Sequence, residues 1–392
     1  MLSNFIKFTF VLIGLGLLCP FNSLVSAGGF FEEIGHPELS SSAIAYYNRL
    51  NLASVFLMLL VSKHVPQNGT ILLSLFTYFL SLLAIPILYL LKVSNDTMVI
   101  VVLASASVIG ASNGIFSAIA FSLAGSISST LSGAIMSGQG WAGLVPICIR
   151  IFSMLVIPHN NVLASLLFFV VNSLLCLICF IIFAIAITRP AFKQLKDKTM
   201  SLSLLSGSEE QSKVIEKPGF IPCFKSVSLD AILVCLCFTI TLLVFPGLTS
   251  LIIYKDGPFI RDFKGWFSVL LTLTFMVFDL LGRSTPSYVK LNSKVVYILL
   301  SIFRLVFVFL FIACLQQTIS SWIFPFVVMA LFALSNGYVS TIAMMKGADN
   351  ALSTNKEFCG VIMTIALNIG LFLGANLDPF LLELLKKFNV LT

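Results

Sequence analysis

The chain has 392 residues, 58% of them hydrophobic and only 10% charged, with a formal net charge of +7. Soluble domains carry about 25% charged residues, so this sequence lacks the polar shell that a water-facing core of its length needs, and lipid must cover most of its surface. Its bases lie between apolar runs and not along one face of a soluble fold, which argues for loop topology and against nucleic acid as a partner.

A membrane span needs about 20 apolar residues. Eleven such runs follow one another, near 5–27, 43–62, 70–92, 97–124, 132–157, 161–188, 229–253, 264–283, 294–315, 319–345 and 358–385. The first has some features of a cleavable signal: Lys7, an apolar stretch, and Val25-Ser26-Ala27 before Gly28-Gly29. Pro20-Phe21-Asn22 in its second half, and its length, favour a retained span. The loop that follows holds Glu32, Glu33 and Glu38 and no base. Of two glycosylation sequons, Asn68-Gly69-Thr70 falls on the cytoplasmic side of this topology and Asn95-Asp96-Thr97 lies too near a span to be a good acceptor.

Between the sixth and seventh runs lies a polar stretch with Arg189, Lys193, Lys196, Lys198, Lys213, Lys217 and Lys225 around a serine-rich centre. Such a composition cannot bury enough apolar surface to fold alone. It is read as a flexible cytoplasmic linker, 189–228, between an N-terminal six-helix half, 1–188, and a C-terminal five-helix half, 229–392. The linker decides the orientation. Without it, the inside bases (Lys7, Lys63, Lys290, Lys294, Lys346, Lys356) merely equal the outside ones (Lys92, Lys255, Arg261, Lys264, Lys386, Lys387). With it, the N-terminus is cytoplasmic and the odd span count leaves the C-terminus extracellular.

The nine cysteines lie mostly inside apolar runs, where cysteine acts as a small hydrophobe. Cys176 and Cys179 form a CxxC, but no second pair or histidine accompanies it, so no metal site is expected. His36, His64 and His159 fall in loops without partner motifs. No phosphate-binding loop, GxSxG elbow or HExxH motif occurs. The expectation is a protein that is not an enzyme and uses no cofactor.

Charges inside spans are expensive and mark functional sites by default. Asp279 and Arg283, four residues apart in Phe278-Asp279-Leu280-Leu281-Gly282-Arg283, share a helix face and can pair. Such a pair can serve a polar ligand or be a structural ion pair, and the residues alone leave both readings open. Gln139, flanked by Gly138 and Gly140, reads either as helix-packing glue or as a ligand contact. Arg304 and Asn336-Gly337 invite the same two readings. Arg49 and Arg150, nearer the ends of their runs, are expected to reach the membrane interface.

Seven motifs in order resemble those of equilibrative nucleoside transporters. Gly14-Leu15-Gly16-Leu17-Leu18-Cys19-Pro20-Phe21-Asn22 is similar to the first-helix GLGTLLPWN, and Ile135-Met136-Ser137-Gly138-Gln139-Gly140-Trp141-Ala142-Gly143 to IMSGQGLAG. Phe245-Pro246-Gly247 resembles FPA, Phe278 to Ser284 resembles FDWLGRS, and Arg304-Leu305-Val306-Phe307-Val308 resembles RLVFV. Ser335-Asn336-Gly337-Tyr338 matches SNGY, and Gly360-Val361-Ile362-Met363 resembles GAIM. The resemblance implies an all-α polytopic membrane protein of eleven helices, a major-facilitator-like bundle of six plus five whose halves rock to give alternating access. It implies facilitative transport of nucleosides such as adenosine or inosine, or of nucleobases, by a monomer in the plasma membrane. It also implies a substrate site of Leu18, Phe21, Val25, Gln139, Phe245, Asp279 and Arg283. Within that site the glutamine would take the base, and the aspartate and arginine the ribose and base region. Phe21 stands where the family usually has tryptophan, and Met276 where many relatives have asparagine. A nucleoside is flat, uncharged and hydroxyl-rich, so apolar walls with a few polar groups suit it. Two rivals are a proton-coupled carrier of the same fold and a non-transporting membrane receptor.

The orientation is testable with epitope tags. A tag near Ser208 should be reached by antibody only after permeabilisation, and a tag after Thr392 without it. Labelling of both on one side refutes the eleven-span topology.

Overall fold

The structure is a computed structural model that describes residues 4–27, 30–31, 34–36, 39–62, 64–157, 160–190, 192, 194, 219–252, 266–289 and 293–388. Most of the expected linker lies outside these residues, as do Glu32, Glu33, Glu38, Lys63, His159, Lys255, Arg261, Lys264 and Lys290. Among the described residues the regular elements are helical. They run α1 Asn4–Val25, α2 Leu39–Val61, α3 Gln67–Leu90, α4 Asn95–Ile127, α5 Ser129–Val156, α6 Asn161–Thr188 and α7 Phe220–Val244. A short α8 Gly247–Ser250 precedes α9 Trp266–Ser284, α10 Lys294–Phe303, α11 Val306–Leu315, α12 Phe324–Asn350 and α13 Lys356–Lys387. The pairs α7–α8 and α10–α11 each make one interrupted span, so eleven segments are long and apolar enough to cross a membrane, as the sequence implies.

Polar residues at the boundaries start several of these helices by accepting from otherwise orphaned backbone N–H groups. Ser94 accepts from Thr97 N at 3.3 Å, Asn160 from Leu163 N at 2.9 Å and Ser293 from Val296 N at 3.4 Å. One boundary differs clearly from expectation. α7 begins at Phe220 and not near 229, so Lys225, read as linker, lies on its second turn. Phe220-Ile221-Pro222-Cys223-Phe224 supplies apolar surface that extends the helix beyond the length lipid alone requires.

Two compact units form, Met1–Ser228 with Met345–Ile365, and Leu229–Met344 with Ala366–Thr392. This grouping differs from a simple division at residue 228, because the end of α12 and the start of α13 join the first unit. Glycine contacts account for it: a Cβ on Gly360 would lie 2.8 Å from Ser122 Cα, and one on Gly133 would lie 2.8 Å from Met345 Sδ.

Within the first unit, helices meet at backbone distance. A Cβ on Gly138 of α5 would strike the Val11 carbonyl of α1 and lie 2.9 Å from Gly14 Cα, while one on Gly14 would strike the Ile135 carbonyl. Lipid tails are as apolar as leucine, so membrane helices associate through such close packing and not through hydrophobic exclusion. Amide side chains add directional bonds: Asn22 Nδ2 donates to the Ala142 carbonyl at 2.9 Å, and Asn113 Nδ2 to the Leu17 carbonyl at 2.7 Å. Arg150, expected at the interface, is buried and donates to the Ser165 hydroxyl at 2.8 Å. The neighbouring helix α6 offers an acceptor there, so the side chain need not reach water. Arg49 is exposed, and because α2 starts at Leu39 it is the eleventh of that helix's 23 residues and not near an end.

The second unit packs around an aromatic core of Phe245, Phe275, Phe307, Phe311 and Phe332 with Ile240, Val328 and Met329. Met276 packs against this core, which gives the methionine an apolar role.

Gly138→Val should abolish folded, surface-delivered protein, because the added branches meet backbone of α1 that cannot move aside. Gly69→Ala, where a Cβ meets only Pro66 Cγ at 3.9 Å, should leave the amount unchanged. Surface biotinylation of the two variants checks this.

Candidate functional site

Leu18, Phe21 and Val25 recur at spacings of three and four on α1, which places them on one helix face. All three are only partly buried, while most of α1 around them is buried. Phe21 pairs with Tyr47 of α2, ring centroids 4.6 Å apart at 35°. Tyr47 is fixed from behind: Gly110 of α4 gives room to its backbone, 2.8 Å from the Cβ an alanine would carry. The residues on either side of Phe21 are also tied. Asn22 bonds α5, and the Cys19 thiol lies 3.6 Å from Asn172 Oδ1 on α6. Rotation of α1 is therefore restricted, and with it the plane of Phe21. Gln139 is buried on α5, one residue beyond the Gly138–Gly14 contact. Four of the residues expected at the site thus fall in the first unit, on two helices that pack directly.

The other three, Phe245, Asp279 and Arg283, fall in the second unit. Arg283 Nε donates to Asp279 Oδ2 at 2.6 Å, with both side chains almost fully buried. The pair expected from the i, i+4 spacing forms. Asp279 Oδ1 accepts from Asn336 Nδ2 at 2.7 Å. The Asn336 Oδ1 atom in turn lies 2.6 Å from the Thr241 hydroxyl and 3.2 Å from Arg304 Nη2. The amide orientation follows from its neighbours, since donors crowd one end and a carboxylate the other. Gly282 and Gly337 bring α9 and α12 to backbone contact beside this network: a Cβ on Gly282 would lie 3.1 Å from Gly337 Cα, and one on Gly337 would lie 2.6 Å from Arg283 N. A carboxylate offers about four acceptor positions, so the bonds to Arg283 and Asn336 leave Asp279 able to accept from ligand hydroxyls.

Phe245 is 7% exposed and stacks on Phe275, centroids 4.1 Å apart at 10°. Phe275 lies one helical turn before Asp279 on α9, so the same helix carries the aromatic stack and the ion pair. The chain breaks after Phe245, where Pro246 supplies no N–H to continue α7.

Several members of this network had weak sequence signals. Cys237 and Thr241 stand four apart on α7, and Asp230 seven before Cys237, which makes one polar stripe along an apolar helix. Asp230 is 2% exposed. An expected start at 229 put it at the membrane edge, whereas the observed start makes it the eleventh residue of α7. Tyr47 had no signal, because its pairing with Phe21 joins two helices and reflects no local spacing. Asp378 on α13 accepts from the Leu248 N–H of α8 and occupies the space where a side chain at Gly247 would begin.

The profile of a family described as nucleoside transporter matches residues 103–383. The chain is 26% identical to equilibrative nucleoside transporter 2 of Homo sapiens, covering 96% of each sequence. It is 27% identical to equilibrative nucleoside transporter 1 of Homo sapiens over 93% of this chain and 94% of that one. It is also 22% identical to equilibrative nucleotide transporter 1 of Arabidopsis thaliana over 96% and 86%. In fold it is similar to a major facilitator superfamily proton:xylose symporter, XylE, with a TM-score of 0.69 and 12% identity over 99% and 92% of the two chains. Eleven spans and a match over most of its length place this integral membrane chain in the nucleoside transporter family.

Proposed function

We propose that the chain carries nucleosides down their gradient by alternating access, with Phe21 walling the base, Gln139 bonding it, and Asp279 and Arg283 serving the ribose and base region. The observation that carries this reading is the Asp279–Arg283 pair, held inside a span at 2.6 Å. A buried ion pair contributes little net stability against an apolar replacement, so its presence favours a ligand role. On this reading each unit also offers the substrate apolar surface, the first through Leu18 and Val25 and the second through Phe245. In this reading the protein acts as a monomer in the plasma membrane; its N-terminus lies in the cytoplasm, an orientation supported by the basic linker. Adenosine and inosine suit this chemistry, and nucleobases are competitors to be compared with them.

A second reading, proton-coupled transport, is favoured by Asp230, an acid buried in the seventh span. Labelled adenosine uptake into proteoliposomes separates the two. Uptake that reaches equal concentrations and ignores an imposed pH gradient supports facilitation, and gradient-driven accumulation supports coupling.

Asp279→Ala and Arg283→Ala should each abolish uptake, since breaking a buried pair leaves a charge uncompensated at a cost of about 3–5 kcal/mol. The double alanine variant should recover surface protein without recovering uptake. Full transport by that variant refutes the binding role of both residues.

Phe21→Ala should raise the half-saturating concentration at near-normal surface expression, through lost stacking worth about 0.5–1.5 kcal/mol and lost apolar contact. Phe21→Trp should preserve or improve it. Equal loss of expression and uptake in both variants would mark Phe21 as ordinary helix packing.

A further inference from the structure

The ninth span is interrupted at Arg304-Leu305, between α10 and α11. Turns of the i to i−3 type bridge the break, with Phe307 N donating to the Arg304 carbonyl at 3.1 Å and Leu305 N to the Ile302 carbonyl at 3.0 Å. The Arg304 side chain is 0% exposed, so it touches no ligand itself. Its four terminal bonds are all taken within the second unit. Nη1 donates to the Phe332 carbonyl at 3.1 Å and the Ser335 hydroxyl at 2.7 Å. Nη2 donates to the Thr241 hydroxyl at 2.7 Å and Asn336 Oδ1 at 3.2 Å. The guanidinium also lies 4.8 Å from the centroid of the Phe332 ring. Phe332 is 6.1 Å from Phe275, which stacks on Phe245.

We infer that Arg304 is the positioning residue of the substrate site: it fixes the Asn336 amide that donates to Asp279, and through Phe332 it backs the Phe275–Phe245 stack. Two features assigned to the site, the carboxylate and the aromatic wall, thus rest on one guanidinium. The geometry explains why the residue is arginine. Four acceptors on two helices and a ring face must be met at once, and a planar fork with five N–H donors does this where a lysine ammonium cannot. It also explains the orientation of Asn336. With Arg304 and Thr241 at its carbonyl end, its NH2 group can point only toward Asp279. The inference rests on the reading that Asp279 contacts the nucleoside.

The test is binding of adenosine and 2′,3′-dideoxyadenosine to the purified full-length protein. Asp279→Asn tests the underlying reading: it should narrow the preference for adenosine, and an unchanged preference refutes Asp279 as a ligand. Arg304→Lys tests the inference. It should weaken adenosine binding about tenfold, the ratio expected for loss of one charge-assisted hydrogen bond, and should narrow the same preference. Combined with Asp279→Asn, it should add less than its full single loss, since the part acting through Asp279 is already gone and only the part acting through the aromatic stack remains. A wild-type preference in Arg304→Lys, or a fully additive loss in the combination, overturns the positioning role while leaving Asp279 as a ligand. Thr241→Val removes one bond to Arg304 without changing charge, so it provides the same comparison if Arg304→Lys fails to fold. It should shift the preference in the same direction by a smaller factor, and an unchanged preference counts against the inference.

Discussion

Burying a guanidinium is costly unless acceptors meet most of its N–H groups, because unpaired buried charge costs several kcal/mol. Arg304 meets the condition at Nη1 and Nη2, while its Nε stays without an acceptor among the described residues. Arg304 imposes that condition on the second unit. Its acceptors come from α7 and α12, and Asn336, held on one side by Arg304, bonds α9 on the other. Four spans must therefore keep a fixed register around one side chain. The break between α10 and α11 fits the same condition. Irregular backbone at membrane depth is tolerated where it is buried in protein, and Arg304 is buried among these helices.

Among its described residues the first unit packs without a comparable charge network. Glycine-to-backbone contacts bring α1 to α5 and α2 to α4, and neutral amides of Asn22 and Asn113 tie carbonyls that face the helix interfaces. One buried cation, Arg150, finds a hydroxyl on the next helix. The outcome for the proposed site is an α1 tied to its neighbours, with Leu18, Phe21 and Val25 on one partly buried face. Close packing at glycine serves both units, and the second adds a buried charge network to it.

Much of the fold was legible because a span has a length and a composition that water-exposed sequence rarely matches. The eleven runs appear in the structure with modest shifts. The seventh moved furthest, since a helix that continues past the lipid into Lys225 gives no hydropathy signal where it starts. That error hid Asp230. At the site, the Asp279–Arg283 pair was legible because helix geometry makes i and i+4 neighbours. The roles of Thr241, Asn336 and Arg304 were not, because each depends on a partner more than 25 residues away in the chain, and no local pattern reports such distances. Arg150 was misplaced for a related reason: its acceptor, Ser165, is 15 residues away but belongs to the following helix, so no spacing within one helix reports it.

The contact between Gly247 and Asp378 has an evolutionary consequence. The carboxylate fills the place where a Cβ at position 247 would stand and caps the short helix behind it. A side chain at 247 must either push the Asp378 carboxylate aside or be met by a shorter residue at 378, and either change takes the acceptor away from Leu248 N–H. The two should change together across descendants of this chain, with second-site suppressors of a Gly247 lesion concentrated at residue 378 on a helix more than a hundred positions away.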